Sequence, residues 1–115
     1  MINGFEEYTH ELNQYEEEKL LPVIVKGLST KIGKENAVTN KEICSALKKR
    51  DLKVNDARIR KVISFIRINR IIKNLISNSK GYFIATTKEE VLEYRKGLMQ
   101  RIAAVTALHH SFSTT

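Results

Sequence analysis

The sequence predicts a mainly α-helical domain with a small β-wing, and three observations carry that expectation. Apolar residues recur at helical spacing through most of the chain, most cleanly at Ile59, Val62, Ile63 and Ile66. One stretch, from Leu75 to Ala85, switches to a strand–turn–strand pattern with a glycine in the turn. The chain has 115 residues, of which 42% are apolar, enough for one domain with one core; the absence of Trp leaves that core to aliphatic residues.

In chain order, Phe5, Tyr8, Leu12 and Tyr15 are spaced for an amphipathic N-terminal helix in a segment, 1–18, with six acids and no base. The segment from Glu16 to Ile32 reads as a second helix or a continuation. Pro22 requires it either to start near Leu21 or to kink there, and Gly33 marks the stop before a GKEN loop. Ala37–Thr39 is a short extended segment. Thr39 with Glu42 forms a capping box, so a helix begins at Asn40 and ends near Arg50, with Ile43, Leu47 and Ala46 on one side. Residues 51–54 are a tight connector, and Asn55 caps the next helix, which runs to about Asn69 or Arg70.

That helix buries the stripe named above. Ala57, Lys61 and Ser64 are expected on its outward face, with Arg58, Arg60 and Arg67 flanking. The hairpin follows at residues 75–85. Thr87 with Glu90 is a second capping box and opens a last helix at Lys88, expected to reach about His109. Val91, Leu98, Ile102 and Val105 repeat along it as a coiled-coil seam would, apart from Arg95. The division expected is a single domain, 1–115. Its core is 36–87, preceded by a helical region 1–35 and followed by the helix 88–110 and a frayed tail, 111–115.

Charge is concentrated rather than spread. Between Lys41 and Lys80 stand twelve Lys and Arg against three acids, a local +9 in a chain whose total is +7. From Ala57 to Lys80 there is no acid. A solvated helix face normally mixes signs, so a run of this kind points to a polyanionic partner, of which DNA is the commonest.

Helix, short strand, helix, tight turn, helix, hairpin, helix is the order of a winged helix-turn-helix. The residues that carry the resemblance are TNKEICSALKKR, NDARIRKVISFIRINRII and NLISNSKGYFIATT. The segments KIGKENAVTNKEI, ARIRKVISFIRIN and SKGYFIATTKEEV further resemble small winged-helix proteins of bacterial phages and mobile elements. The resemblance implies binding of double-stranded DNA, in transcription regulation or as a replication accessory. A recognition helix at about 55–70 would lie in the major groove, with a wing at 75–85 on backbone or minor groove. The candidate DNA-binding residues are Lys48, Lys49, Arg50, Asn55, Arg58, Arg60, Lys61, Ser64, Arg67 and Lys80. Base contacts are expected from Lys61, Ser64 and Arg58, and backbone contact from Lys80 at the wing tip. Lys48–Arg50 also suit the negative end of a helix dipole without any DNA.

Two other readings stand beside this one. The fold could serve as an adaptor docking an acidic protein partner, in replication or transcription. It could also bind nucleic acid, including RNA, without sequence preference, although single-strand binding needs exposed stacking aromatics that this block lacks. A homodimer through 88–110 is expected, because one recognition helix reads only a few base pairs and because Tyr8, Leu12 and Tyr15 need a cover; the rival is packing of the 88–110 stripe on the domain's own first helix.

Enzymatic activity is not expected: no nucleophile–base order and no phosphate-cradling glycine loop occurs, and Glu16–Glu18 cannot share one cleft. No cofactor is implied. The lone Cys44 excludes an internal disulfide and a cysteine-cluster zinc site, and reads as a small packing residue. His109 and His110 diverge on a helix and do not form a metal pair. The longest apolar run is too short for a bilayer, and with no signal-peptide pattern the expected location is the cytoplasm.

Overall fold

The computed structural model describes residues 11–112, and they form two units that meet in sequence at Ala85 and Thr86. The expected helix positions of Phe5 and Tyr8 lie outside the described residues, as does most of the tail. The first unit is mainly helical with a two-stranded antiparallel hairpin. A helical turn of π type, Glu16–Leu20, runs directly into helix α1, Leu21–Leu28. Helices α2, Asn40–Lys48, and α3, Asp56–Ile68, follow, then strands β1, Leu75–Asn78, and β2, Gly81–Ile84. The second unit is a single helix, α4, Lys88–Ser111.

The α-helix starts at Leu21 with Pro22 in its first turn, the first of the two ways the sequence offers, and a π-type turn leads into it. Helix is continuous across Pro22, and the turn before it is widened: the Leu21 N–H donates to the Glu16 carbonyl, five residues back. A π-type turn removes the carbonyl that proline's ring would otherwise strike and needs no N–H from Pro22. α1 then stops at Leu28 rather than near Gly33. The Ser29 hydroxyl donates to the Val25 carbonyl at 2.7 Å and the Thr30 hydroxyl to Gly27 at 2.8 Å, closing the helix end.

α2 and α3 start where their caps place them. Thr39 Oγ1 accepts from the Glu42 N–H at 3.1 Å while Glu42 returns a bond to the Thr39 N–H at 2.9 Å. Asn55 Oδ1 accepts from the Arg58 N–H at 2.8 Å. Both helices end in the same motif. The residue just past the end, Asp51 or Arg70, has a left-handed φ, of 61° and 53° respectively. The next N–H reaches back five residues, Leu52 to Leu47 at 3.1 Å and Ile71 to Ile66 at 2.9 Å. Leu52 thereby packs against the core, while Ile71 stays exposed.

The core sits between α1, α2, α3 and the hairpin. Ile59, Val62, Ile63 and Ile66 are all buried, as the stripe predicts, and meet Leu20, Ile24, Leu28, Leu47 and Leu75. Cys44 is buried among them. β1 pairs with β2 in the register Leu75↔Ile84 to Asn78↔Gly81, leaving Ser79 and Lys80 as the turn. The other edge of β2 is also paired. Val38 and Tyr82 exchange both backbone hydrogen bonds, at 3.0 and 2.8 Å, so the expected extended segment 37–39 joins the wing.

In the second unit the Thr87–Glu90 capping box is present and opens α4 as expected. The helix carries no buried residue, and Leu92, Met99, Ile102, Val105 and Leu108 are all exposed. No helix among the described residues is long and apolar enough to cross a membrane.

Candidate nucleic-acid interface

Two opposed chemistries meet on α3. At about 100° per residue its buried stripe divides the rest of the surface into two flanks, Arg58, Lys61 and Phe65 on one and Arg60, Ser64 and Arg67 on the other. The first flank is not outward. Lys61 Nζ donates to Glu16 Oε1 at 2.7 Å and Arg58 Nε to Glu16 Oε2 at 3.1 Å. Each cation's side chain is 32% exposed, while that of Glu16 is 3% exposed. The expectation that Lys61 and Arg58 present themselves to solvent is corrected by this geometry. The wheel angle of Lys61 is nearly opposite the core, but α1's lead-in turn lies along that side and supplies a carboxylate.

Glu16 is placed by its own cap. Asn13 Oδ1 accepts from the Glu16 N–H at 2.8 Å, and the Asn13 N–H donates to Glu16 Oε1 at 2.9 Å. This reciprocal pair is a third capping box, with Asn in place of Ser or Thr. Burial pushes the Glu16 carboxyl up. The Lys61 hydrogen bond, the Asn13 N–H, the Lys61 charge and the Arg58 hydrogen bond together outweigh burial and hold it below the ordinary carboxylate value. Tyr15 completes the joint: its ring lies 5.2 Å from the Arg58 guanidinium carbon, and its hydroxyl accepts from the Lys53 N–H at 2.7 Å and donates to the Lys53 carbonyl at 3.1 Å. The connector between α2 and α3 is therefore pinned from outside by α1's approach.

The second flank presents Arg60. Arg60 is exposed and its side chain has no hydrogen bond or ion pair among the described residues; Ser64 and Arg67 are half-buried beside it. From the N-terminus of α3 the surface continues to α2, where Asn40 Nδ2 donates to the Asp56 carbonyl at 3.2 Å. It continues again to the wing, where the Tyr82 hydroxyl reaches Asn40 Oδ1 at 3.4 Å. Gly81 lies against the Val38–Thr39 backbone, so the wing turn stands beside the start of α2. Lys41, one residue into α2 from Asn40, and Lys80, at the wing turn, are both exposed. Lys80's N–H donates to Asn78 Oδ1 at 2.7 Å, which shapes the turn and leaves its ammonium outside. A strip of contacts thus runs from Asp56 through Asn40 to Tyr82, and exposed cations adjoin it in sequence: Lys41 next to Asn40, Lys80 next to Gly81, and Arg60 one helical turn beyond Asp56.

Not every candidate joins that strip. Lys48, Lys49 and Arg50 are exposed at the other end of α2, about 13 Å along the helix from Asn40. Arg50 lines a groove of about 270 Å³ between α1 and α2, walled by Val23, Ile24, Ile43 and Leu47, with Lys31 also at its lining. Asn55 is exposed, but its side-chain oxygen is committed to capping α3. Conversely, the strip includes Asn40 and adjoins Lys41, neither of which the sequence reading selected. Their position within a capping box, between Thr39 and Glu42 in the first turn of a helix, was the available signal.

Among the described residues, no group of three or more His, Cys, Asp or Glu side chains could hold a metal ion. Comparison of the chain with protein-family models, with curated proteins and with solved structures returns no match.

Proposed function

We propose that this chain is a duplex DNA-binding protein of winged helix-turn-helix type, acting in transcription regulation or as a replication accessory. The observation that carries the reading is the junction of the hairpin with two helix N-termini, Asp56–Asn40–Tyr82, beside which the exposed cations Lys41, Lys80 and Arg60 stand in sequence. In this reading α3 enters the major groove by its Arg60 and Ser64 flank. The first turn of α2 receives a phosphate through its N–H groups and Lys41, and the hairpin turn reaches the backbone through Lys80. The local +9 between Lys41 and Lys80 supplies long-range attraction. The cellular setting in this reading is the cytoplasm, and the protein works as a homodimer that joins two half-sites through 88–110. Neither a cofactor nor catalysis enters it.

One observation favours the second reading, an adaptor for an acidic protein. The groove between α1 and α2 has apolar walls with Lys31 and Arg50 in its lining, which suits an apolar side chain flanked by acids. Selection of bound fragments from a random duplex pool, run beside a partner screen, separates the two. A sharp sequence motif lost on Arg60→Ala supports DNA reading. No enrichment of any fragment, with capture of one acidic protein lost on Arg50→Glu, supports the adaptor.

A further inference from the structure

α3 carries cations on both flanks, yet only one flank is available. Among the described residues Glu16 is the one buried charged side chain, and both its oxygens are engaged with Arg58 and Lys61. Arg58 is held a second and third time, by the Lys53 carbonyl at 3.3 Å and by the Tyr15 ring. To reach a phosphate, either cation would have to give up its bond to one oxygen of a buried carboxylate, and release of both would leave that charge uncompensated, which is strongly unfavourable. On the opposite flank Arg60 has no such tie.

We propose that Glu16 is a positioning residue that determines specificity: it withholds Arg58 and Lys61 from nucleic acid and fixes the roll of α3, so that only the Arg60 and Ser64 flank reads the duplex. The proposal rests on the DNA-binding reading for its consequence, and on the ion-pair geometry alone for its cause. Its chemical logic is subtraction. A recognition helix with Arg58 and Lys61 free as well as Arg60 would bind any phosphate backbone, since each contact adds affinity irrespective of sequence. Burying one carboxylate beside two of them lowers the sequence-independent share and leaves base contact to a narrow edge.

The second role is geometric. The Glu16 pairs, 42 and 45 residues apart in sequence, are anchored at Asn13 and reach the first two turns of α3. Tyr15 holds the connector at Lys53. Rotation of α3 about its axis would break these bonds together, so the roll is set by α1's approach as well as by the apolar stripe.

The test uses the full chain, an end-labelled duplex of two helical turns with mixed sequence, and fluorescence anisotropy across a salt series. Immobilised heparin provides a second polyanion with no duplex geometry. With slopes counted per bound protomer, Arg60→Ala should make the log–log salt slope shallower by about 0.9, as one cation leaves the duplex. Arg58→Met and Lys61→Met should each leave slope and affinity within about two-fold of wild type, since neither cation is in contact. Glu16→Gln should steepen the slope by about 0.9 to 1.8 as one or both cations are released. It should also raise affinity for mixed-sequence duplex about ten-fold and delay elution from heparin. A Lys61→Met or Arg58→Met effect as large as that of Arg60→Ala overturns the proposal, as does a folded Glu16→Gln variant with unchanged slope and unchanged heparin elution. If Glu16→Gln does not fold by circular dichroism, the Met variants decide on their own. If wild type shows no salt-dependent binding to the duplex, the DNA reading fails, and heparin elution of the same variants still judges Glu16.

Discussion

Replacing Gly81 with alanine should detach the wing from α2 at a cost of about 2–6 kcal/mol, composed as follows. Gly81 has φ of 123°, a conformation that residues with a Cβ avoid, and holding a side chain there costs about 1–3 kcal/mol. An added Cβ would also overlap the Val38 carbonyl and the Thr39 nitrogen, both backbone atoms that cannot swing aside. The strain is relieved by parting β2 from residue 38. That breaks the Val38–Tyr82 pair of hydrogen bonds, 3.0 and 2.8 Å long, each worth about 0.5–1.5 kcal/mol. Urea denaturation of Gly81→Ala against wild type measures the loss, and the m-value should not change, because the same surface is exposed on unfolding. Ser79→Ala, in the same turn but free of the contact, serves as the control and should stay within about 0.5 kcal/mol. A Gly81→Ala loss below about 1 kcal/mol would mean that the wing does not rest on α2 as described.

Three further outcomes follow from the same geometry. Ile63→Ala should cost about 2–5 kcal/mol in the same denaturation assay, because a side chain 1% exposed leaves a cavity between α1 and α3. Glu16, whose folded pKa is lowered, contributes stability that is fully present above its unfolded value near 4.5. That stability is lost as pH falls from there through the folded value, so acid unfolding of wild type should begin below about pH 4.5, and Glu16→Gln should flatten that part of the curve. For α4, light scattering at micromolar concentration should give a dimer that Leu98→Glu and Ile102→Glu convert to monomer with the first unit still folded; a monomeric wild type refutes the paired helix.

Much of the fold was legible because its signals are local. Thr39 with Glu42 and Thr87 with Glu90 mark helix starts that depend on residues three apart, and both boxes form. The stripe at Ile59, Val62, Ile63 and Ile66 defines a buried face from one helix alone. Helix ends were less legible because Asp51 and Arg70, rather than glycine, take the left-handed positions that terminate α2 and α3. The widened turn before Pro22 depends on which carbonyl the ring would strike, and composition does not reveal that.

The site divided in the same way. A helical wheel places Lys61 and Arg58 on α3 but cannot say which neighbour lies along that flank. The carboxylate that takes both comes from more than 40 residues earlier. The run Glu16–Glu18 reads in sequence only as three carboxylates that cannot share one cleft, and the decisive local cue was Asn13 three residues before Glu16, a capping pattern. Leu12 and Tyr15, which had argued for a partner chain to cover them, are packed by the first unit itself. Gly81 was expected as a turn residue; its closer constraint is the Val38 backbone, a contact only the folded chain creates.

The central claim is that this surface binds duplex DNA through unpaired cations, and the salt dependence of wild-type binding tests it most directly. Titration of a labelled duplex at a series of salt concentrations should give a log–log slope of roughly −4 to −5, corresponding to about five phosphate contacts. A slope near zero would contradict the account.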